Sequence, residues 1–174
     1  MRPFLIAAPL AALWLVPAAH AEDKAPCGKD MVCASDPQSV LKAMEKAGLK
    51  PKLEVDGIGE PMISSEESTY NFSVYFYGCE EKKNCDSLQF QVMFEKDKGI
   101  DLKLANKWNL THRFLQAALR DDGTLVLGYD IGTIGGLNQT QFKDTIDWWT
   151  ASLDELSNFF EKELPKPKDA KKAS

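Results

Sequence analysis

Histidine is scarce in this chain, with two examples, His20 just after the N-terminal apolar run and His112. A Ser-His-Asp or Cys-His site would have to use His112. Its neighbours Thr111 and Arg113 put it at a helix-to-strand junction, where histidine serves as a polar linker, and no nucleophile or orienting acid is identifiable for it. A hydrolase built on His112 is therefore the third of three readings. No CxxC pair occurs, which excludes a thioredoxin-type redox site. The cysteine spacings are too long, and histidine too rare, for an ordinary zinc site. Positive charge is also short, with 21 Lys and Arg against 26 Asp and Glu. That balance argues against nucleic-acid binding, which draws its affinity from neutralising phosphates. The glycine-rich stretch 132–137 lacks the Lys-Ser/Thr end of a phosphate loop, and Asp130 and Asp144 lie close by. It reads as a connecting loop that needs positive φ at glycine. The acidic pairs Glu66-Glu67, Glu80-Glu81 and Asp121-Asp122 lack calcium-loop spacing and read as solvated turn charge. No metal and no cofactor are expected.

Long apolar runs are missing too, except at the start. Residues 1–21, MRPFLIAAPLAALWLVPAAHA, carry one charge before an apolar run, a helix-breaking Pro17 and small residues at Ala19 and Ala21. This is the pattern of a cleaved secretory signal peptide. No membrane span is expected after cleavage. Loss of Arg2 leaves 20 basic residues against 26 acidic, a net charge of −6. The expected compartment is the periplasm of a Gram-negative bacterium. Residues 22–34 then form a disulfide-held N-terminal segment, 35–164 one domain, and 165–174 (PKPKDAKKAS) a disordered basic tail.

The four cysteines, Cys27, Cys33, Cys79 and Cys85, follow the signal and imply two disulfides. Two equal spacings of six favour Cys27–Cys33 and Cys79–Cys85. The second pair sits in YNFSVYFYGCEEKKNCDSLQFQVMFE, Tyr70 to Glu95. If these cysteines face each other across a hairpin, Phe76 meets Leu88, Val74 meets Phe90, Phe72 meets Val92 and Tyr70 meets Phe94. All four pairs are apolar and share one face, and a slip of one residue would destroy the match. The other face carries Asn71, Ser73, Tyr75, Tyr77, Gln89, Gln91 and Met93. Strict alternation puts Cys79 and Cys85 there as well. Two tyrosines and a methionine on a solvated face suit a partner surface, unless the N-terminal segment covers it.

Elsewhere, Asp36-Pro37 opens a helix with Val40, Leu41, Met44 and Ala47 inward and Gly48 at its end. Short strands follow at 52–55 and 61–64, with a turn at Glu66-Glu67. A helix over 100–112 should bury Leu102, Ala105, Trp108 and Leu110. Asn106 and Asn109 share a helix face there and are candidate polar contacts, to neighbouring backbone or to a ligand. Strands at 114–120 and 125–131 flank the Asp121-Asp122-Gly123 turn. A long helix capped by Asn138 or Thr140 runs to about residue 162. Its seam, Phe142, Ile146, Trp149, Leu153, Leu156 and Phe160, widened by Trp148 and Phe159, packs across the sheet or turns one edge to a second subunit. The order implies an α+β fold, an antiparallel sheet of about five to six strands packed by helices on one face.

MISS at 62–65, FSVYFYGC at 72–79, CDSLQFQ at 85–91, LANKWNLTHRF at 104–114, LRDDGTLVLGYDI at 119–131 and DTIDWWTASLDEL at 144–156 together resemble the YbjN family, described as bacterial sensory transduction regulators. The resemblance spans roughly residues 37–160. It implies a fold like that of type III secretion chaperones, α+β proteins that bind partner proteins, commonly as dimers. It carries no catalytic residues. The signal peptide and cysteines depart from the family's cytoplasmic members. The leading expectation is a secreted, non-enzymatic, protein-binding or chaperone-like module with a protein or peptide partner and a possible homodimer. The runner-up is a structural, envelope-stress protein without a specific partner. A thiol count on denatured protein from its native compartment should find no free cysteine; two or more would contradict the pairing.

Overall fold

The structure, a computed structural model, describes residues 27–164. The expected signal peptide (1–21) and basic tail (165–174) lie outside the described residues, as do residues 22–26 of the N-terminal segment. Three helices and six strands follow in the order α1 (Pro37–Lys46), β1 (Lys52–Val55), β2 (Pro61–Glu67), β3 (Tyr70–Tyr77), β4 (Ser87–Phe94), α2 (Leu102–Thr111), β5 (Gln116–Leu119), β6 (Leu125–Gly132) and α3 (Gln139–Glu163). The strands form one antiparallel sheet ordered β1-β2-β3-β4-β6-β5. The fold is α+β, and among the described residues no helix is long and apolar enough to cross a membrane.

Local chemistry sets the helix ends. The Asp36 side chain accepts from the Gln38 N–H, with Pro37 in the first turn. Asp101 accepts from Leu104. Asn138 forms a full capping box with Gln141 at the start of α3. The seam of α3 lies against the sheet: Phe142, Ile146, Trp149, Leu153 and Leu156 are all at most 2% exposed. The Trp149 ring packs on Phe72 at 5.2 Å and Phe90 at 5.5 Å. Val40 and Met44 of α1 and Leu104 and Trp108 of α2 join the same core, so all three helices cover one side.

The β3–β4 register is the one the cysteine spacing implies, with Val74 opposite Phe90 and Phe76 opposite Leu88. Tyr70 and Phe94 continue it with an edge-to-face contact at 5.6 Å. Other elements differ from expectation. Strand β2 runs on through Glu66 and Glu67, paired with Asn71 and Tyr70. The turn falls at Ser68-Thr69, with Ser68 at φ 56°. Charged residues are tolerated there because Glu66 points to the solvated side of the sheet. Helix α2 buries Leu104, Ala105 and Trp108, while Leu102 and Leu110 are exposed. Leu102 is the first helical residue, and Leu110, six residues past Leu104, lies about 120° from it around the helix axis and outside the buried stripe.

Both disulfides form, Cys27–Cys33 and Cys79–Cys85. The second does not lie on the side of Tyr75 and Tyr77: Cys85 is 2% exposed within the core, and Cys79 packs partly against it. The alternation of β3 stops at Tyr77, and Gly78, at φ 63°, turns the chain over. A Cβ at Gly78 would sit 2.3 Å from the Asp86 carboxylate, so only glycine fits without displacement. The Cys27–Cys33 segment docks on the loop before α3, through paired backbone bonds between Val32 and Leu137. Buried Thr133 joins the two disulfide-bearing segments. Its hydroxyl accepts from the Ala34 N–H at 2.9 Å and donates to the Asp86 carbonyl at 3.0 Å. Thr133→Val keeps the shape and strands the Ala34 N–H, at a cost of about 1–3 kcal/mol. Denaturant unfolding of wild type and variant measures it; equal stability would show that this hydroxyl ties nothing together.

Candidate functional site

With three helices on one side, the opposite face of the sheet has no covering layer among the described residues. The register fixes which side chains share it. Tyr75 lies between Met62 on β2 and Gln89 on β4, and Gln89 lies next to Asp130 on β6. Tyr77 lies opposite Ser87, and Met93 opposite Val126. The five residues expected to form a partner surface, Tyr75, Tyr77, Gln89, Gln91 and Met93, thus occupy adjacent rungs of two neighbouring strands. Tyr77 and Met93 are 44% and 45% exposed, large values for side chains that are mostly apolar. The Tyr75 and Tyr77 rings stand 6.4 Å apart.

Polar groups between them are bonded to one another. Gln91 Nε2 donates to Gln89 Oε1 at 2.8 Å, and Gln89 Nε2 donates to Asp130 Oδ1 at 2.9 Å. Gln91 is nearly buried within this chain of amides. Gly128, opposite Gln91, leaves room for the Gln89 side chain, whose amide would stand 3.2 Å from an added Cβ. Burial first, then the nearby Tyr75, Asp130 and Asp56, push the Tyr77 phenol above its ordinary pKa, so it stays a neutral hydroxyl donor at physiological pH. At the far end Glu54 is held below the usual carboxylate range by hydrogen bonds from Lys52 and then Ser64. A shallow depression of about 530 Å³ runs beside Lys52, Ser64, Asn71, Ser73, Gln91 and Met93. The face is amphipathic and prearranged, suited to holding another surface. Met62, Gly128 and Asp130 belong to it and were not assigned to this face from the sequence. The β2–β3 and β4–β6 registers are the signal that finds them.

Residues 27–34 do not lie over this face, since they dock on the 133–137 loop at the end of the sheet. Of the two candidate asparagines, Asn109 is bound to backbone. Its amide donates to the Ala117 carbonyl at 3.0 Å, and its oxygen accepts from the Ala117 N–H at 2.8 Å. It pairs the outer edge of β5 as a further strand would, which leaves β1 as the open edge of the sheet. Asn106 is exposed. The His112 ring stacks on Trp108 at 3.8 Å and a 6° interplanar angle. Its Nδ1 lies 2.9 Å from the Thr111 hydroxyl, which itself donates to the Lys107 carbonyl. An open groove beside His112 takes in Glu155 and Glu163 but neither Asn106 nor Asn109. Among the described residues no three His, Cys, Asp or Glu side chains gather closely enough to hold a metal ion.

The family model YbjN, "Putative bacterial sensory transduction regulator", matches residues 36–162. No curated protein matches the chain. Among solved structures the chain is similar to the crystal structure of YbjN from E. coli, "a putative transcription regulator", at 14% identity and a TM-score of 0.53 over 74% of this chain and 90% of that one. At that identity the likeness speaks for the fold. The family match covers well over half of the residues and holds both the sheet and α3, and on that ground the chain belongs to the YbjN family.

Proposed function

We propose that this chain is an exported, non-enzymatic binding module of the YbjN family that holds a protein or peptide on the outer face of its sheet. The observation that carries the reading is that face itself. Tyr75, Tyr77 and Met93 remain accessible on a fixed network of amides, with no helix of the described residues above them. Aromatic and methionine side chains on such a surface gain most from being covered by a partner. The short edge strand β1, where Val55 is largely exposed, offers backbone groups to an extended partner strand beside that face. The resemblance of the family to type III secretion chaperones agrees with a role in holding another chain.

The two disulfides and the signal-like residues 1–21 support an oxidising compartment, the periplasm of a Gram-negative bacterium. The seam residues Phe142, Ile146, Trp149, Leu153 and Leu156 of α3 are consumed by the sheet, so a homodimer would use a surface other than that seam. The structural, envelope-stress reading draws on one observation, the Thr133 link that ties both disulfide segments into the core.

Replacing Tyr75 and Tyr77 together with serine should leave cooperative unfolding intact. Partner crosslinking, read by mass spectrometry on protein exported to its own compartment, should fall about tenfold or more. Crosslinks at twice the chain mass would identify a second copy as the occupant. Unchanged crosslinking in the variant would exclude this face.

A further inference from the structure

A second surface lies on the helical side, independent of the outer sheet face. Helix α2 ends at Thr111, and the chain reaches β5 through His112, Arg113, Phe114 and Leu115. The Leu115 N–H donates to the Arg113 carbonyl at 2.9 Å, closing a three-residue turn around Phe114 at φ 67°. This is the left-handed region, where a bulky non-glycine residue is an outlier and the turn is of the strained kind. Such a conformation is strained for phenylalanine, and glycine would adopt it freely. The strain holds the Phe114 ring in a set place, 5.6 Å from Tyr129 and 4.7 Å from Trp148, with the Arg113 guanidinium 4.9 Å from its centre.

Trp148 is 44% exposed although its neighbour Trp149 is fully buried. Phe114, Trp148 and Phe159 floor an open groove of about 590 Å³ between this turn and α3. Its rim carries three cations, Lys107, Arg113 and Lys162, against two anions, Glu155 and Glu163, in a chain of net charge −5. Lys107 and Glu163 neutralise each other as an ion pair. Arg113 and Lys162 take part in none of the ion pairs among the described residues, and Glu155 is the remaining anion. Exposed tryptophan and arginine over an aromatic floor are the residue types that dominate protein interfaces. Residues 165–174 carry four lysines and one aspartate, so the chain's own tail has the wrong charge for this rim.

We propose that this groove is a docking site for an acidic peptide segment of another protein, with an apolar side chain laid on Trp148 and Phe114 and carboxylates meeting Arg113 and Lys162. The strained turn positions the site at the expense of stability, a trade expected of a binding site and unexpected of a connecting loop.

A random peptide library displayed on phage, selected on the full chain, tests it against two variants. Arg113→Glu with Trp148→Ser removes the charge and the floor. Phe114→Gly removes the ring and the strain together. Selected clones should be rich in Asp and Glu beside an aromatic or large apolar residue. They should bind both variants about tenfold more weakly or worse, and lose affinity as salt rises. Phe114→Gly should still unfold cooperatively, because relief of the left-handed φ offsets part of the lost ring packing. Basic or uncharged selected clones, undiminished binding to the variants, or absence of enrichment over them would overturn the proposal. So would a wild-type dimer that the double variant turns to monomer in sedimentation, because a second copy would then fill the groove.

Discussion

The contact of Trp149 with Phe72 and Phe90 decides what is inside this protein and what is out. It joins the longest helix to the two central strands, and every other layer follows from it. Once α3 lies across those rings, the even-numbered residues from Phe72 to Phe76 and from Leu88 to Val92 are committed to the core. The odd-numbered residues are then committed to the other face by the period of a strand. The indole N–H of Trp149 has no hydrogen-bond partner among the described residues, so packing must outweigh a desolvation cost of about 1–3 kcal/mol. Burial of three large rings supplies several times that amount.

The disulfides act at one end of this arrangement. Gly78 turns the β3–β4 hairpin so that Cys85 enters the core, and Thr133 ties its neighbour Asp86 to Ala34 beside Cys33. The brace therefore supports the packed side and leaves Tyr75 and Tyr77 free of it. A surface held flat by its own core and amide network is fixed before a partner arrives, which lowers the ordering cost of binding. The groove at Phe114 is prepared differently, by a backbone conformation that the fold sustains against its local preference. The two surfaces lie on opposite sides and rest on separate residues, so either can fail without the other.

Much of this was legible in the sequence because two independent signals agreed. Cysteine spacing and apolar alternation gave the same register for Val74 with Phe90, and capping chemistry placed α1 and α3 to within a residue or two. Most of the failures share a cause, which is positive φ. Gly78 reversed the expected side of the disulfide, and Ser68 moved a turn beyond Glu67. Phe114 created a groove that no pattern announces, since nothing in its residue type points to a left-handed turn. Helix α2 misled differently. Its leucines at 102 and 110 looked apolar enough to be buried, but Leu104 carries the burial and the helix is too short to cover both sides. Asn109 was legible as a hydrogen-bonding residue, while its partner Ala117 depended on a strand edge visible only in the fold.

The central claim is that a one-sided sheet leaves Tyr75, Tyr77 and Met93 as a surface that another molecule covers in the cell. Hydroxyl-radical footprinting tests it most directly, comparing oxidation of these residues in purified protein with oxidation in intact cells. The account predicts ready oxidation of Tyr77 and Met93 in the purified chain and marked protection in the cell, with exposed Leu110 on α2 labelled alike in both. Equal oxidation of the sheet face in the two settings would contradict it.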